Sequence, residues 1–301
     1  MSENNITNEN RFKAATYSVA LTAYSAGWQD KENIATILDF IAPPVPVGRR
    51  FEFKRSSNAQ AFYSENDDVR SIGGEFKRVQ YTGESINEKT LNKGLTIRVD
   101  NDEVVGENWQ ERYTSMLIQR LLRNELKRAI SALSTIAESS DATWDKDSNP
   151  DGDLRELLVE CTDISGVRPN RILFGEAAWN MRLSALEAQA TTNSVSAFNP
   201  DELATKLLLD GCKIASARYQ NALESKASIV KDEVFAFFAQ DGISKDEASN
   251  LKRFYTPSED GTMFKVYCDE HAKYTDITVE HYSSIVASSN LGVRKLNVSL
   301  A

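Results

Sequence analysis

Histidine, the side chain most often used for proton transfer and metal ligation near neutral pH, occurs only twice in this 301-residue chain, at His271 and His281. Cysteine is almost as scarce. Cys161, Cys212 and Cys268 are odd in number, more than fifty residues apart, and form no CxxC pair, which excludes a disulfide framework and describes reduced thiols. With 7 prolines and 14 glycines the chain is neither fibrous nor of low complexity. No run of about eighteen apolar residues occurs, and the opening MSENNITNENRFK lacks the basic-then-apolar order of an export signal. The chain is therefore expected to be neither membrane-spanning nor exported. The signatures GxxxxGK[ST], GxGxxG, HExxH and GxSxG are absent, so phosphate loops, dinucleotide folds, zincins and serine-hydrolase elbows have no support. No catalytic residue, no cofactor and no metal site is assigned.

What is present describes a folded body. A chain of this length with 41% hydrophobic residues can bury a large core, as one domain or two intimate ones. Its 44 acidic against 35 basic side chains, net charge -9, argue against gripping nucleic acid by phosphate neutralisation. The same balance would suit an anionic wall along which DNA slides without sequence-specific contact, and it equally describes many cytosolic enzymes.

Periodicity divides the chain. Residues 10–27 and 31–42 are helical in pattern, with Ile34, Ile37, Leu38 and Ile41 as one apolar stripe; together they look like an arm. The arm ends at Pro43, Pro44 and Pro46, which enforce an extended path. Residues 47–92 alternate apolar and charged positions around turn-forming stretches, with eight basic and seven acidic side chains. This predicts a long two-stranded hairpin without a core of its own, in need of a partner surface. The strand Leu95–Val99 then precedes a long helix over about 107–139, striped by Trp109, Tyr113, Met116, Leu117, Leu121, Ile130, Leu133 and Ile136. Helix and strand alternate afterwards: helix 154–161, strand 171–175, helix 176–190, and a helix opened by Asn199-Pro200 and closed at Gly211. Strands follow at KIASA, VFAFFA, the long MFKVYCDEHAKYTDITVEHY and VRKLNVSL. The fold class is α+β.

Two constellations have the residue types of a metal site. Cys268-x-x-His271 with His281 resembles half a zinc site, but in a strand positions 268 and 271 face opposite ways. Asp145-x-Asp147-x-Asn149-x-Asp151-Gly152-Asp153 resembles a calcium loop. Its register fails from either start: from Asp145, Pro150 stands where the turn glycine belongs, and from Asp147, Leu158 falls on the last ligand position. The favoured reading is an exposed polar turn ending in a helix cap, with Asp153 and Glu156 as a capping box.

The ordered set of elements resembles the Hong Kong 97 type major capsid proteins of tailed bacteriophages. IAPPVPVGRRFEFKR resembles that family's proline turn into its extended loop, and Asp68-x-Arg70-x-x-Gly73-Gly74-Glu75-x-x-x-Val79 the return half. LNKGLTIRVDNDEV followed by WQERYTSMLIQRLLRNEL resembles its strand into a spine helix, and Arg168-Pro169-Asn170-Arg171 through Trp179 the opening of its axial domain. KIASARYQNALESKASIVKDEVFAFFAQ resembles the segment before the return to the peripheral domain.

The resemblance implies residues 1–46 as an N-terminal arm, 47–92 as the extended loop, 93–140 with 262–301 as the peripheral domain, and 141–261 as the axial domain. It further implies a virion capsid protein without catalytic role, made in the host bacterial cytoplasm. Its copies would form pentamers and hexamers of an icosahedral shell around double-stranded DNA. Arg49, Arg50, Arg55, Arg70, Glu75, Lys77 and Arg78 become candidates for contact with a neighbouring copy. Because only about 45 residues precede the loop, a separate scaffolding protein is expected, with a portal and a possible decoration protein. Two other readings stay open: an encapsulin-type shell of the same fold, and a soluble acidic enzyme of a different class.

Overall fold

The computed structural model of the protein describes residues 17–30, 32–56, 69–70, 72–76, 83–104, 106–189, 199–242 and 249–300. Helix α1, Val19–Gly27, begins where the Ser18 hydroxyl accepts from the Leu21 amide at 3.2 Å. The helical pattern extended back to residue 10; residues 10–16 lie outside the described residues. Helix α2, Ile34–Ile41, buries the whole stripe predicted for it. The prolines then make strand β1, Pro44–Pro46, on the edge of a sheet, where a residue without an N–H is tolerated. The described part of the expected arm is thus packed into the body.

A 7-residue strand β2, Arg50–Ser56, pairs antiparallel with β3, Gly83–Lys89. Strand β4, Leu91–Asp100, leads through a 3-10 turn to α3, Trp109–Ile136, about 42 Å long at 1.5 Å per residue. Leu117, Leu121, Ile130 and Leu133 are buried as the stripe predicts. Met116 is exposed, because the buried face runs through Ile118, Leu122 and Leu126 instead. The chain continues as β5, Glu138–Thr143, and α4, Pro150–Ser165. It is Asn149, with Pro150 as first helical residue, that caps α4, and Gly166 at φ 69° closes it, a left-handed position that glycine adopts without strain. Next come β6, Arg171–Gly175, and α5, Glu176–Gln189. A Cβ on Gly175 would lie 2.3 Å from the Lys231 carbonyl oxygen, so only glycine fits that turn.

Helix α6, Pro200–Lys206, is capped by Asn199 at its start and by Leu207 at its end, and the chain leaves it through Leu208, left-handed at φ 55°, and not at Gly211. The Arg168 guanidinium donates to the Leu207 and Leu208 carbonyls there. Strands β7, Gly211–Ala215, β8, Arg218–Gln220, and β9, Lys226–Ser228, follow, the last two forming a small hairpin. Then come β10, Glu233–Phe237, β11, Leu251–Thr256, β12, Lys265–Glu270, β13, Tyr274–Ala287, and β14, Arg294–Ser299. The single long strand predicted over 263–282 is therefore a hairpin, turning between Glu270 and Tyr274, where the His271 amide donates to the Tyr274 carbonyl.

Two five-stranded sheets organise these elements. In the first, β13 carries β4 along one edge and β12 and β11 in succession along the other, with β1 outermost and parallel to β11. The second runs β5-β14-β10-β6-β7. Strand β14, expected with the peripheral strands, pairs instead with β5 and β10, while β11 joins the first sheet.

The cores explain why. Alternation sends Ile172 and Phe174 of β6, and Val234 and Ala236 of β10, into a cluster with Trp144, Leu157 and Trp179. Their neighbours Leu173, Phe235 and Phe237 enter the other cluster, with α2, α3 and the first sheet. A strand buried on both faces is a continuous apolar run, as Ile172 to Phe174 and Val234 to Phe237 are.

Candidate assembly surface and a buried polar seam

The hairpin expected to lack a core has one at its base. Phe51 and Phe53 are two residues apart and so share a face; their rings lie 4.4 and 5.5 Å from that of Phe254 on β11. Val45, Val47, Ile86 and Val286 complete a third apolar cluster in which Phe53 is 1% exposed. Further out the character reverses. Val69, Ile72 and Phe76 are 84%, 105% and 69% exposed, with the Arg70 guanidinium 5.0 Å over the Phe76 ring.

The candidate contact residues divide accordingly. Arg49 is held by its own chain, donating to the Tyr282 hydroxyl at 3.1 Å and lying 4.3 Å over that ring. Arg55 reaches the Ala287 carbonyl at 3.4 Å and Glu84 at 3.9 Å. Arg50 is exposed and stands opposite Lys89 in the ladder, and Arg70 and Glu75 are exposed. Lys77 and Arg78 lie outside the described residues.

A polar seam between α3 and the first sheet was not foreseen. Glu125, 2% exposed, accepts from Lys93 Nζ at 2.7 Å, Arg128 at 2.7 Å and the Ser283 hydroxyl at 2.9 Å. His281 Nε2 is 3.9 Å away, and its Nδ1 is buried with no hydrogen-bond partner among the described residues. Burial alone would raise the Glu125 carboxyl, but Lys93 above all holds it below the ordinary range. Burial pushes His281 down to about 4, against the pull of Glu125. The sequence signal for the seam was only polarity in an apolar context: Glu125 inside the α3 stripe, and Glu280 to Ser283 at the centre of a long strand.

Neither metal constellation is assembled. His271 stands in the β12–β13 turn beside Asp269, at 3.6 Å, His281 lies in the seam, and burial raises the Cys268 thiol. In the other segment the Asn149 side chain accepts from Gly152, Asp153 accepts from Trp144 Nε1 at 2.8 Å, and Asp145 accepts from the Asp147 amide. Asp151 is buried, paired with Arg182 and Lys206 at 2.8 Å each. The expected exposed turn with an Asp153 cap is thus an Asn149-capped helix start anchored by Asp151. Among the described residues no group of three or more His, Cys, Asp or Glu is placed to hold a metal ion, and no helix is long and apolar enough to cross a membrane.

No protein-family model matches the chain, and no curated protein sequence does either. Solved structures do. A phage-related protein of Bordetella bronchiseptica superposes with TM-score 0.66 at 16% identity, over 94% of this chain and 97% of that one. A chain from Mycobacterium phage Adephagia gives 0.52 at 10%, over 95% and 94%. The SrpI encapsulin of Synechococcus elongatus gives 0.52 at 13%, over 90% and 89%. The protein has the Hong Kong 97 type capsid fold, with the β2–β3 strand pair and the long spine helix α3.

Proposed function

We propose that the protein is a shell-forming subunit, the major capsid protein of a tailed bacteriophage, with no catalytic role. The observation that carries this is the likeness of nearly the whole chain, at 94% and 97% coverage, to a phage-related protein. The described residues between β2 and β3 in the sequence support it: Val69, Ile72 and Phe76 are large apolar side chains left exposed, as expected of a surface buried only when copies meet. In this reading pentamers and hexamers close an icosahedral shell around double-stranded DNA in the virion, with scaffolding, portal and decoration proteins as partners. Negative-stain microscopy of the purified chain tests it. Closed shells are expected; a chain that stays monomeric by size-exclusion chromatography at every concentration and ionic strength would return the acidic-enzyme reading.

A second reading has its own support, since the encapsulin superposes as well as the mycobacteriophage chain, at TM-score 0.52. Shells isolated from the native host separate the two by content: DNA of uniform length for a capsid, a single protein cargo for an encapsulin.

A further inference from the structure

The turn before α2, helix α3 and the β8–β9 hairpin line a half-open cavity of about 620 Å³ rich in basic side chains, in a protein of net charge -9. Arg123 of α3, Arg218 of β8 and Lys226 of β9 line it, three cations against two carboxylates, Glu32 in the wall and Glu176 beside Arg218. The Glu32 carboxylate is already engaged by Arg123 at 2.7 Å and by Gln119 at 2.6 Å. Arg218 is bridged to Glu176 and donates to the Ser216 carbonyl, and among the described residues Lys226 makes a single long 3.4 Å contact, with Gln220. A fourth cation, Lys127, lies 3.7 Å over the ring of Tyr219, itself part of the wall.

Two further observations indicate a wall not complete in itself. Arg123 Nε is shut off from solvent with no hydrogen-bond partner among the described residues, a condition that native proteins seldom leave unrelieved. A small rotation of the guanidinium toward an entering oxygen would relieve it. Asn33, also in the wall, is left-handed at φ 55° and makes no capping bond to α2; Asp30 does that instead, accepting from the Ala35 amide at 2.6 Å. Non-glycine residues held in this conformation cluster at ligand sites.

We propose that this cavity binds a phosphate group. One guanidinium fork satisfies a planar carboxylate, whereas cations carried by three separate elements around one pocket suit a tetrahedral oxyanion with oxygens in several directions and up to two charges. The site does not depend on the shell reading, and nothing in that reading requires it. Its phosphate comes either as a free ion or nucleotide, or as the backbone of a nucleic acid.

Isothermal titration of the intact chain with inorganic phosphate, a nucleoside diphosphate and a short oligothymidylate tests the proposal and distinguishes the sources. Binding by the first two assigns a free phosphate; binding by the oligonucleotide alone, weakening steeply with salt, assigns a backbone. In either case the double variant Arg218→Gln/Lys226→Gln should bind about tenfold or more weakly. Arg98→Gln, whose guanidinium is paired with Asp276 elsewhere, should bind as wild type. Gln220→Glu supplies a second test that leaves both cations in place: the added carboxylate should repel phosphate without altering the thermal midpoint. Absence of binding at millimolar concentrations of all three probes, equal binding by wild type and both cavity variants, or binding of an acidic peptide but of no phosphate probe would each overturn it.

Discussion

At the scale of single residues, Glu125 is the best-defined point of tension in the molecule. A carboxylate 2% exposed is tolerable only because Lys93, Arg128 and Ser283 surround it. Removing the charge leaves the buried Lys93 ammonium without its counter-ion, so Glu125→Gln should lower unfolding free energy in urea by about 3–5 kcal/mol. His281 supplies a pH dependence. Its folded pKa, about 4, lies below the ordinary value of 6.5, so unfolding takes up a proton. The associated stability is complete above pH 6.5 and is lost as pH falls toward 4, reaching about 3 kcal/mol at 1.36 kcal/mol per unit. Glu125, also depressed, adds a loss at lower pH, below the ordinary glutamate range. Urea midpoints near pH 7 and pH 5 check this: wild type should lose stability between them and His281→Gln should lose much less. A flat wild-type profile would mean that the imidazole is not held neutral.

At the scale of elements, the hairpin is two things in one. Its base belongs to the subunit core through Phe53 and Phe254, and Phe53→Ala should destabilise the isolated subunit by about 3–5 kcal/mol. Beyond the base, Arg70 is exposed, so Arg70→Glu should change subunit stability by less than about 0.5 kcal/mol. Combined with Arg78→Glu, it should lower shell yield, and raised salt should weaken wild-type assembly, because ion pairs with a neighbour are screened. Denaturant melts of the subunit and counts of closed particles separate the two roles. An equal thermal penalty from both substitutions would remove the distinction.

At the scale of the whole molecule, the two sheets share their interior. Phe235 and Phe237 of the second sheet pack in one cluster with Ile277 and Val279 of the first, and α2 and α3 lie in the same cluster. The chain should therefore unfold as one unit, with near- and far-ultraviolet circular dichroism coincident and the calorimetric enthalpy equal to the van't Hoff value. Two resolved transitions would mean that the sheets hold separate cores.

Much of this was legible in the residues. Period and punctuation located α2, α3, α5, β6, β7 and β14, because apolar spacing, Asn-Pro starts and proline breaks act within a few residues of themselves. The order of elements also carried the resemblance to the capsid fold, which the structural likeness bears out. Long-range pairing was not legible. That β14 leaves the first sheet for the second, that residues 263–282 fold back on themselves, and that Phe51 and Phe53 find Phe254 some two hundred residues away depend on which apolar faces meet. The seam of Glu125, Lys93 and His281 was hidden for the same reason. Each residue alone is an ordinary polar side chain, and only the packing of α3 against the sheet removes water from all three and makes their charges answer to one another.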